Sequence, residues 1–208
     1  MFKLINGIYY SQHKLEVDDD ALIKDIINQR NNPQDATGKA RPNQSETDVQ
    51  HTFYEDTPLS NESLDMMGYA TQEVVDSIFG SNSFSIGEIW GHIVPPGEQT
   101  MIHNHEEENS PGLSFVYYPH MPENSGNLVF ITNLDRNRMM YEIKSTAGHL
   151  YIFSRDILHF TPRNGSNVDR VSCSGNFTAK FPFLKSLDYD IDFENPYWLY
   201  NGREGTNK

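Results

Sequence analysis

The residues of this chain whose types and spacing could do chemistry are His103-Asn104-His105, then His159, then Arg170-Val171-Ser172. Neutral imidazole is the commonest metal ligand among side chains. On a strand, positions i and i+2 point to one face, so His103 and His105 can present two ring nitrogens to one ion. A third imidazole, His159, arriving from a segment distant in sequence, would complete a triangular face. The opposite positions would stay open for a substrate, a co-substrate or oxygen. A lone strand histidine is usually structural; the pair changes that reading, and His159 gains its weight from the pair.

The third block, Arg170 to Phe177, alternates. Arg170, Ser172, Ser174 and Asn176 share one face, and Val171, Cys173 and Phe177 share the other. A strand that turns its polar set inward needs a reason, because a buried guanidinium is costly unless it meets an anion. No Asp or Glu in the neighbouring strands stands out as its partner. A bound dicarboxylate would serve, since a guanidinium grips a carboxylate bidentately and a serine hydroxyl adds a hydrogen bond. In the opposite register Arg170 would be a surface residue.

The elements that must position these side chains fall into two textures, divided at about residue 83. Ile5 to Leu15 reads as a strand or hairpin arm. Asp18-Asp19-Asp20 opens a helix to about Arg30, with acids at the positive end of the dipole and Leu22, Ile23, Ile26 and Ile27 as its apolar stripe. Residues 31–50 are polar, without periodicity, and read as a loop or lid. A second helix is expected from Ser63 to Phe79, with Leu64, Met67, Val74, Val75 and Ile78 inward and Gly80 as its stop. From Phe84 on, short β-rich runs alternate with turns: 85–94, 100–105, 113–118, 127–132, 140–144, 149–153, 159–162 and 169–178. About eight such strands suggest a mainly β double-sheet jelly roll, with the two helices covering one outer sheet face. The expected organisation is one compact unit: 1–83 as support, 84–180 as the β core and 181–208 as an extension.

Composition narrows the partners. Sixteen basic and twenty-nine acidic residues give a net charge of −13. That argues against nucleic acid, which calls for a basic patch, and against an anionic membrane. No run approaches the roughly 18 apolar residues of a membrane span, and the opening residues are too soon polar for a signal peptide. Cys173 is the single cysteine, so an intrachain disulfide and a thiolate zinc site are excluded and a reducing cytoplasm is the expected home.

The ordered combination of His103-x-His105, Leu113-Ser-Phe-Val-Tyr-Tyr118, Gly148-x-Leu-x-x-Phe153, Leu158-His159, Pro162-x-Asn164 and Arg170-x-Ser-x-Ser-x-Asn-Phe177 resembles the 2-oxoglutarate/Fe(II) oxygenases. The fit is best to a His-x-His branch common among bacterial and bacteriophage proteins, over about residues 86–178. The resemblance implies a double-stranded β-helix, cupin-like in outline, with Fe(II) on His103, His105 and His159. It also implies 2-oxoglutarate as co-substrate, anchored by Arg170, with Ser172 assisting and a tyrosine of Tyr117–Tyr118 touching it. On that basis the chain would be a dioxygenase in a bacterial or phage-infected cytoplasm. Its partners would be 2-oxoglutarate, O2 and a substrate whose C–H is hydroxylated, in an amino-acid side chain or a small metabolite.

One departure stands out. Most of the superfamily has a carboxylate where His105 stands. His105-Glu106-Glu107 also reads as His-x-Glu one register later, with Glu107 as the carboxylate ligand beside His105 and His159. The spacing of Gly97 and Thr100 favours His103 with His105. Gly97 and Gly148 also satisfy cupin-type motifs, although the standard cupin glutamate and Pro-x-Gly are missing. A metal-binding cupin-like module without oxygenase activity, a ligand binder or a phage accessory protein, is therefore the alternative. A zinc hydrolase or isomerase using the same imidazoles is a third.

Overall fold

A computed structural model of the chain describes residues 2–5, 8–31, 57, 59–105, 112–134 and 137–180. In order, the elements are β1 (Phe2–Ile5), β2 (Ile8–Lys14), α1 (Asp19–Asn31), α2 (Asn61–Phe79), β3 (Phe84–Val94), β4 (Gly112–His120), β5 (Leu128–Leu134), β6 (Asn137–Ile143), β7 (His149–Ser154), β8 (Leu158–Phe160) and β9 (Arg170–Ala179). The Ile5–Leu15 expectation resolves into the antiparallel hairpin β1–β2. The expected loop at 31–50, apart from Asn31, and the expected extension at 181–208 fall outside the described residues.

Local chemistry sets the helix ends. The Asp18 carboxylate accepts from the Ala21 N–H at 3.0 Å, satisfying a donor that the first turn of α1 would leave orphaned. Ser60 does the same for α2 through Ser63, and Gly80, at φ 87, ends it with its N–H on the Asp76 carbonyl. The Ser60 N–H also donates to Asp25 of α1 at 2.9 Å, tying the helices together.

The strands build two sheets, one ordered β1-β2-β7-β4-β9-β3 and one ordered β6-β5-β8, with every pairing antiparallel. The fold is a mainly β jelly roll with two helices on the outer face of the larger sheet. Leu22, Ile26, Met67 and Val75 of the helices pack with Ile93, Phe115, Tyr117, Leu150, Ile152, Val171, Cys173 and Phe177 of that sheet. Each fully buried side chain of this kind stabilises by about 1.5–3 kcal/mol. Ile27, expected on the apolar stripe, is more than a third exposed.

Between the sheets the interior has two halves. Val116, Tyr118, Tyr151 and Phe153 meet Leu128, Phe130 and Ile143 in an apolar cluster. Under β9 and β3 the lining is polar. Arg170, Ser172, Ser174 and Asn176 point inward, opposite the Val171, Cys173 and Phe177 that face the helices. Because β3 pairs with β9 as His92↔Ser172 and Trp90↔Ser174, His92 and Trp90 share that inward face.

Residues 100–105, expected as a strand, make only an isolated bridge between His103 and His159. Their backbone does run along β8. Thr100 N–H donates to Thr161, His103 and His159 exchange two bonds at 3.0 and 2.8 Å, and His105 N–H donates to Arg155 at 2.9 Å. Those partners do not step back two residues for each two gained, so the ladder breaks on both sides of His103. Asn164 fastens the turn before it: its N–H bonds the Glu98 carbonyl, its carbonyl accepts from Gly97, and its side chain bonds Val94 and Val168.

α1 lies very close to β3 because position 91 has no side chain. A Cβ on Gly91 would stand 2.7 Å from the Ile26 side chain. Gly91→Ala is therefore expected to destabilise by about 1–3 kcal/mol through overpacking, and Ile26→Ala by about 2–5 kcal/mol through a cavity. The double variant should cost clearly less than the sum, because the second change vacates the space the first fills. Strict additivity in denaturant unfolding would refute the contact.

Candidate metal centre

His103 and His105 leave the broken ladder on the same side, and His159 enters from β8, so the three expected ligands do converge. Ring centroids are 5.0 Å apart for His103–His105, 4.3 Å for His103–His159 and 5.2 Å for His105–His159. One ligand nitrogen from each lies within 4.8 Å of the others. The Nδ1 of His103 lies 2.7 Å from the Met101 carbonyl, and that of His159 lies 2.8 Å from the Ile157 carbonyl. A carbonyl only accepts, so both Nδ1 atoms carry the hydrogen and both Nε2 atoms keep a lone pair. This second bond is how a protein fixes the tautomer of a metal-binding histidine.

The same buried surroundings keep the rings neutral. Burial first, then neighbouring His103, pushes His159 down to about 3, although its backbone bond opposes the shift. Burial, His103 and Arg155 push His105 to about 4, and burial lowers His103 despite the Met101 carbonyl. Three unprotonated imidazoles fit a divalent transition ion. Among the described residues no carboxylate or thiolate joins them; Glu107 lies outside those residues.

Aromatic walls hold the rings. Phe153 meets His159 edge-on at 4.8 Å and is itself packed by Phe130, while Trp90 leans on His105 at 5.5 Å. Arg155 clasps His105 from behind: its Nε donates to the His105 carbonyl at 2.9 Å, and its carbonyl receives the His105 N–H. Arg155 and His92 carried no recognisable spacing. The first acts on the His105 backbone through its Nε and its carbonyl, and the second reaches the interior only through the β3–β9 register. His92 is pushed down to about 4 by burial, Arg170 and His103.

Arg170 is 1% exposed. Its Nη1 donates to the Ser125 carbonyl and, at 3.4 Å, to those of Gly126 and Pro162; its Nη2 donates to Thr161 Oγ1. Thr161 in turn shares a 2.7 Å hydroxyl bond with Thr100, ahead of the ligand pair. Gly126, at φ +87, permits this nest: a Cβ there would stand 2.6 Å from the Pro162 carbonyl and 3.0 Å from Arg170 Nη1. Among the described residues no carboxylate pairs with Arg170. Beside it the Ser125 hydroxyl is buried without a hydrogen-bond partner, and burial raises the Tyr118 phenol to about 12 although Arg170 and a hydrogen bond with Ser145 oppose the shift. A buried cation with no carboxylate partner among the described residues is an environment a dicarboxylate would complete.

The remaining expected contacts divide. Ser172 is buried on the Arg170 face. Tyr118 faces inward, whereas Tyr117 is turned to the helices, where its hydroxyl donates to Asp19 at 2.5 Å; the two tyrosines are separated by the pleat of β4.

Solved structures share this architecture. A viral collagen prolyl hydroxylase from Paramecium bursaria Chlorella virus-1, in complex with 2OG, superposes with a TM-score of 0.53 at 14% identity, covering 86% of this chain and 99% of that one. A prolyl hydroxylase from Trichoplax adhaerens, bound to a peptide fragment of the oxygen degradation domain of hypoxia inducible factor, gives 0.53 at 10% identity, covering 86% and 87%. The chain shares the fold of these prolyl hydroxylases. No family model and no curated protein matches the sequence, so the likeness is structural. The comparisons lend no support to a bacteriophage origin. No helix among the described residues is long and apolar enough to cross a membrane.

His159→Ala is expected to abolish Co(II) binding by calorimetry, and Arg155→Met to weaken it roughly 10–100-fold, with circular dichroism unchanged in both. Wild-type affinity in His159→Ala would dissolve the centre.

Proposed function

We propose that the protein is an Fe(II)- and 2-oxoglutarate-dependent dioxygenase that hydroxylates a C–H bond of an amino-acid side chain or small metabolite. The observation that carries this reading is Arg170: a guanidinium buried with no carboxylate partner among the described residues, tied through Thr161 to the segments that carry the three imidazoles. The oxygenase fold supports it, and two of the similar structures are prolyl hydroxylases, which makes an amino-acid side chain a reasonable target class.

The residues suit both groups. His103, His105 and His159 would hold the metal through Nε2 atoms whose opposite nitrogens, in His103 and His159, are already bonded to carbonyls. Arg170 would take the far carboxylate of 2-oxoglutarate, with the hydroxyls of Tyr118 and Ser125 beside it. Ser172 and His92, opposite each other in the β3–β9 register, share the inward face of Arg170, and His92 feels both Arg170 and His103. When bound, iron and 2-oxoglutarate together supply oxidative decarboxylation coupled to oxygen insertion. The chain's task is to orient and to exclude water. Phe153, Phe130 and Trp90 fix the rings, and the apolar half of the interior closes the cavity from behind.

Anaerobic Fe(II) with 2-oxoglutarate should give a weak visible charge-transfer band. Arg170→Ala should cost about 2–5 kcal/mol of 2-oxoglutarate binding, roughly 30-fold or more, while sparing iron affinity. Arg170→Lys should restore part of it. A cupin-like module without oxygenase activity would show no band, and wild-type 2-oxoglutarate affinity in Arg170→Ala would refute the anchor.

A further inference from the structure

The β3–β9 ladder runs without a break from Val94↔Arg170 through His92↔Ser172 to Trp90↔Ser174. Alternate residues of a strand share a face, so Val94, His92 and Trp90 look inward together with Arg170, Ser172 and Ser174. One end of this row holds the Arg170 guanidinium. At the other end the Trp90 ring lies 5.5 Å from that of His105. His92 is the middle residue, roughly 7 Å along the strand from either end. Its electrostatic neighbours agree with that position, because both Arg170 and His103 act on it.

Access changes along the same row. At the anchor end Val94, Arg170 and Ser172 are buried. His92, Trp90 and Ser174 keep partial exposure, whereas Gly91, Ile93, Val171 and Cys173, on the opposite face toward the helices, are buried. Protein interiors are close-packed, so a side chain that is turned into the fold and still keeps accessible surface borders free volume.

We infer that His92 sets the length of the 2-oxo acid that can bridge the imidazoles and Arg170: its ring borders the methylene stretch of the co-substrate and favours 2-oxoglutarate over a longer diacid. This rests on the reading of the three histidines as metal ligands and Arg170 as the anchor of the far carboxylate. A molecule held at both ends has to pass the residues between them, and on β3 and β9 those are His92 and Ser172. Serine is short, so the imidazole is the group with the bulk to limit the path. Burial first, then Arg170 and His103, hold the ring uncharged at neutral pH. A protonated ring would draw the carboxylate away from Arg170. A neutral one packs against methylenes and leaves the charge pairing to the guanidinium.

The test uses the full chain with anaerobic Fe(II), read by the visible charge-transfer band, and three 2-oxo acids. 2-Oxoglutarate and 2-oxoadipate differ by one methylene, and pyruvate has the same chelating end but no far carboxylate. One methylene in a fitted site is worth roughly 10–200-fold, and the wild type should prefer 2-oxoglutarate to 2-oxoadipate by a ratio in that range. In His92→Ala this preference should fall by about tenfold or more, with pyruvate affinity unchanged. A merely structural role would weaken all three acids together, so an unchanged ratio overturns the inference. Pyruvate weakened in step with 2-oxoglutarate also overturns it, since the ring would then act at the metal face. Should His92→Ala not fold, His92→Asn, smaller than the ring but still polar, decides on the same ratio. A wild type that shows the band with 2-oxoglutarate yet does not discriminate the two diacids refutes the length limit and leaves the oxygenase reading standing. No band with any of the acids would refute both.

Discussion

The centre depends on one reciprocal pair of backbone hydrogen bonds. His103 and His159 exchange N–H···O bonds at 3.0 and 2.8 Å, and this pairing brings residues far apart in sequence to a ring separation of 4.3 Å. A regular ladder would continue that pairing on both sides. Here it breaks at once, and the break is useful. His105 is freed from facing the residue that strict alternation would place opposite it, and its backbone is taken instead by Arg155. One backbone bridge fixes two ligands, and one side-chain clasp fixes the third.

The interior then divides by the chemistry each half must support. Under β7, β4 and β5, ordinary apolar packing supplies the stability of the jelly roll. Under β9 and β3, the lining is arginine, serine, histidine and tryptophan, which contributes little by burial and costs something in desolvation. The larger sheet offsets this on its other face, where β9 gives Val171, Cys173 and Phe177 to the helices. The two N-terminal helices are therefore more than a cover. They bury the apolar side of a strand whose inward side is committed to polar work.

Much of this was legible in the residues. The alternation of β9 announced that Arg170 and Ser172 share a face, and the structure places that face inward. The His-x-His spacing gave the right convergence for a partly different reason: residues 100–105 are an irregular segment held to β8, not a strand. The helices and their stripes followed from caps and periodicity, except that Ile27 lies at the stripe's exposed margin. The choice between Tyr117 and Tyr118 could not be made from the sequence, because it turns on the parity of β4 against β7 and β9, which only the register decides. His92 was hidden for the same reason. Arg155, Ser125 and Thr161 were hidden more deeply, since they act through carbonyls and hydroxyl contacts that carry no side-chain pattern.

Thr161 is the joint between the two functional groups. It lies just past β8, two positions beyond His159, and its hydroxyl meets both the Arg170 guanidinium and the Thr100 hydroxyl. Thr100 begins the segment that carries His103 and His105, and its N–H is also held by the Thr161 carbonyl. The anchor and the ligand loop are thus coupled through a single side chain with one donor and two lone pairs. A carboxylate drawn to Arg170 changes what that guanidinium asks of Thr161, and hence what Thr161 can offer Thr100. On the proposed reading, order at Arg170 and order at the three imidazoles would be parts of one equilibrium, joined through the Thr161 hydroxyl.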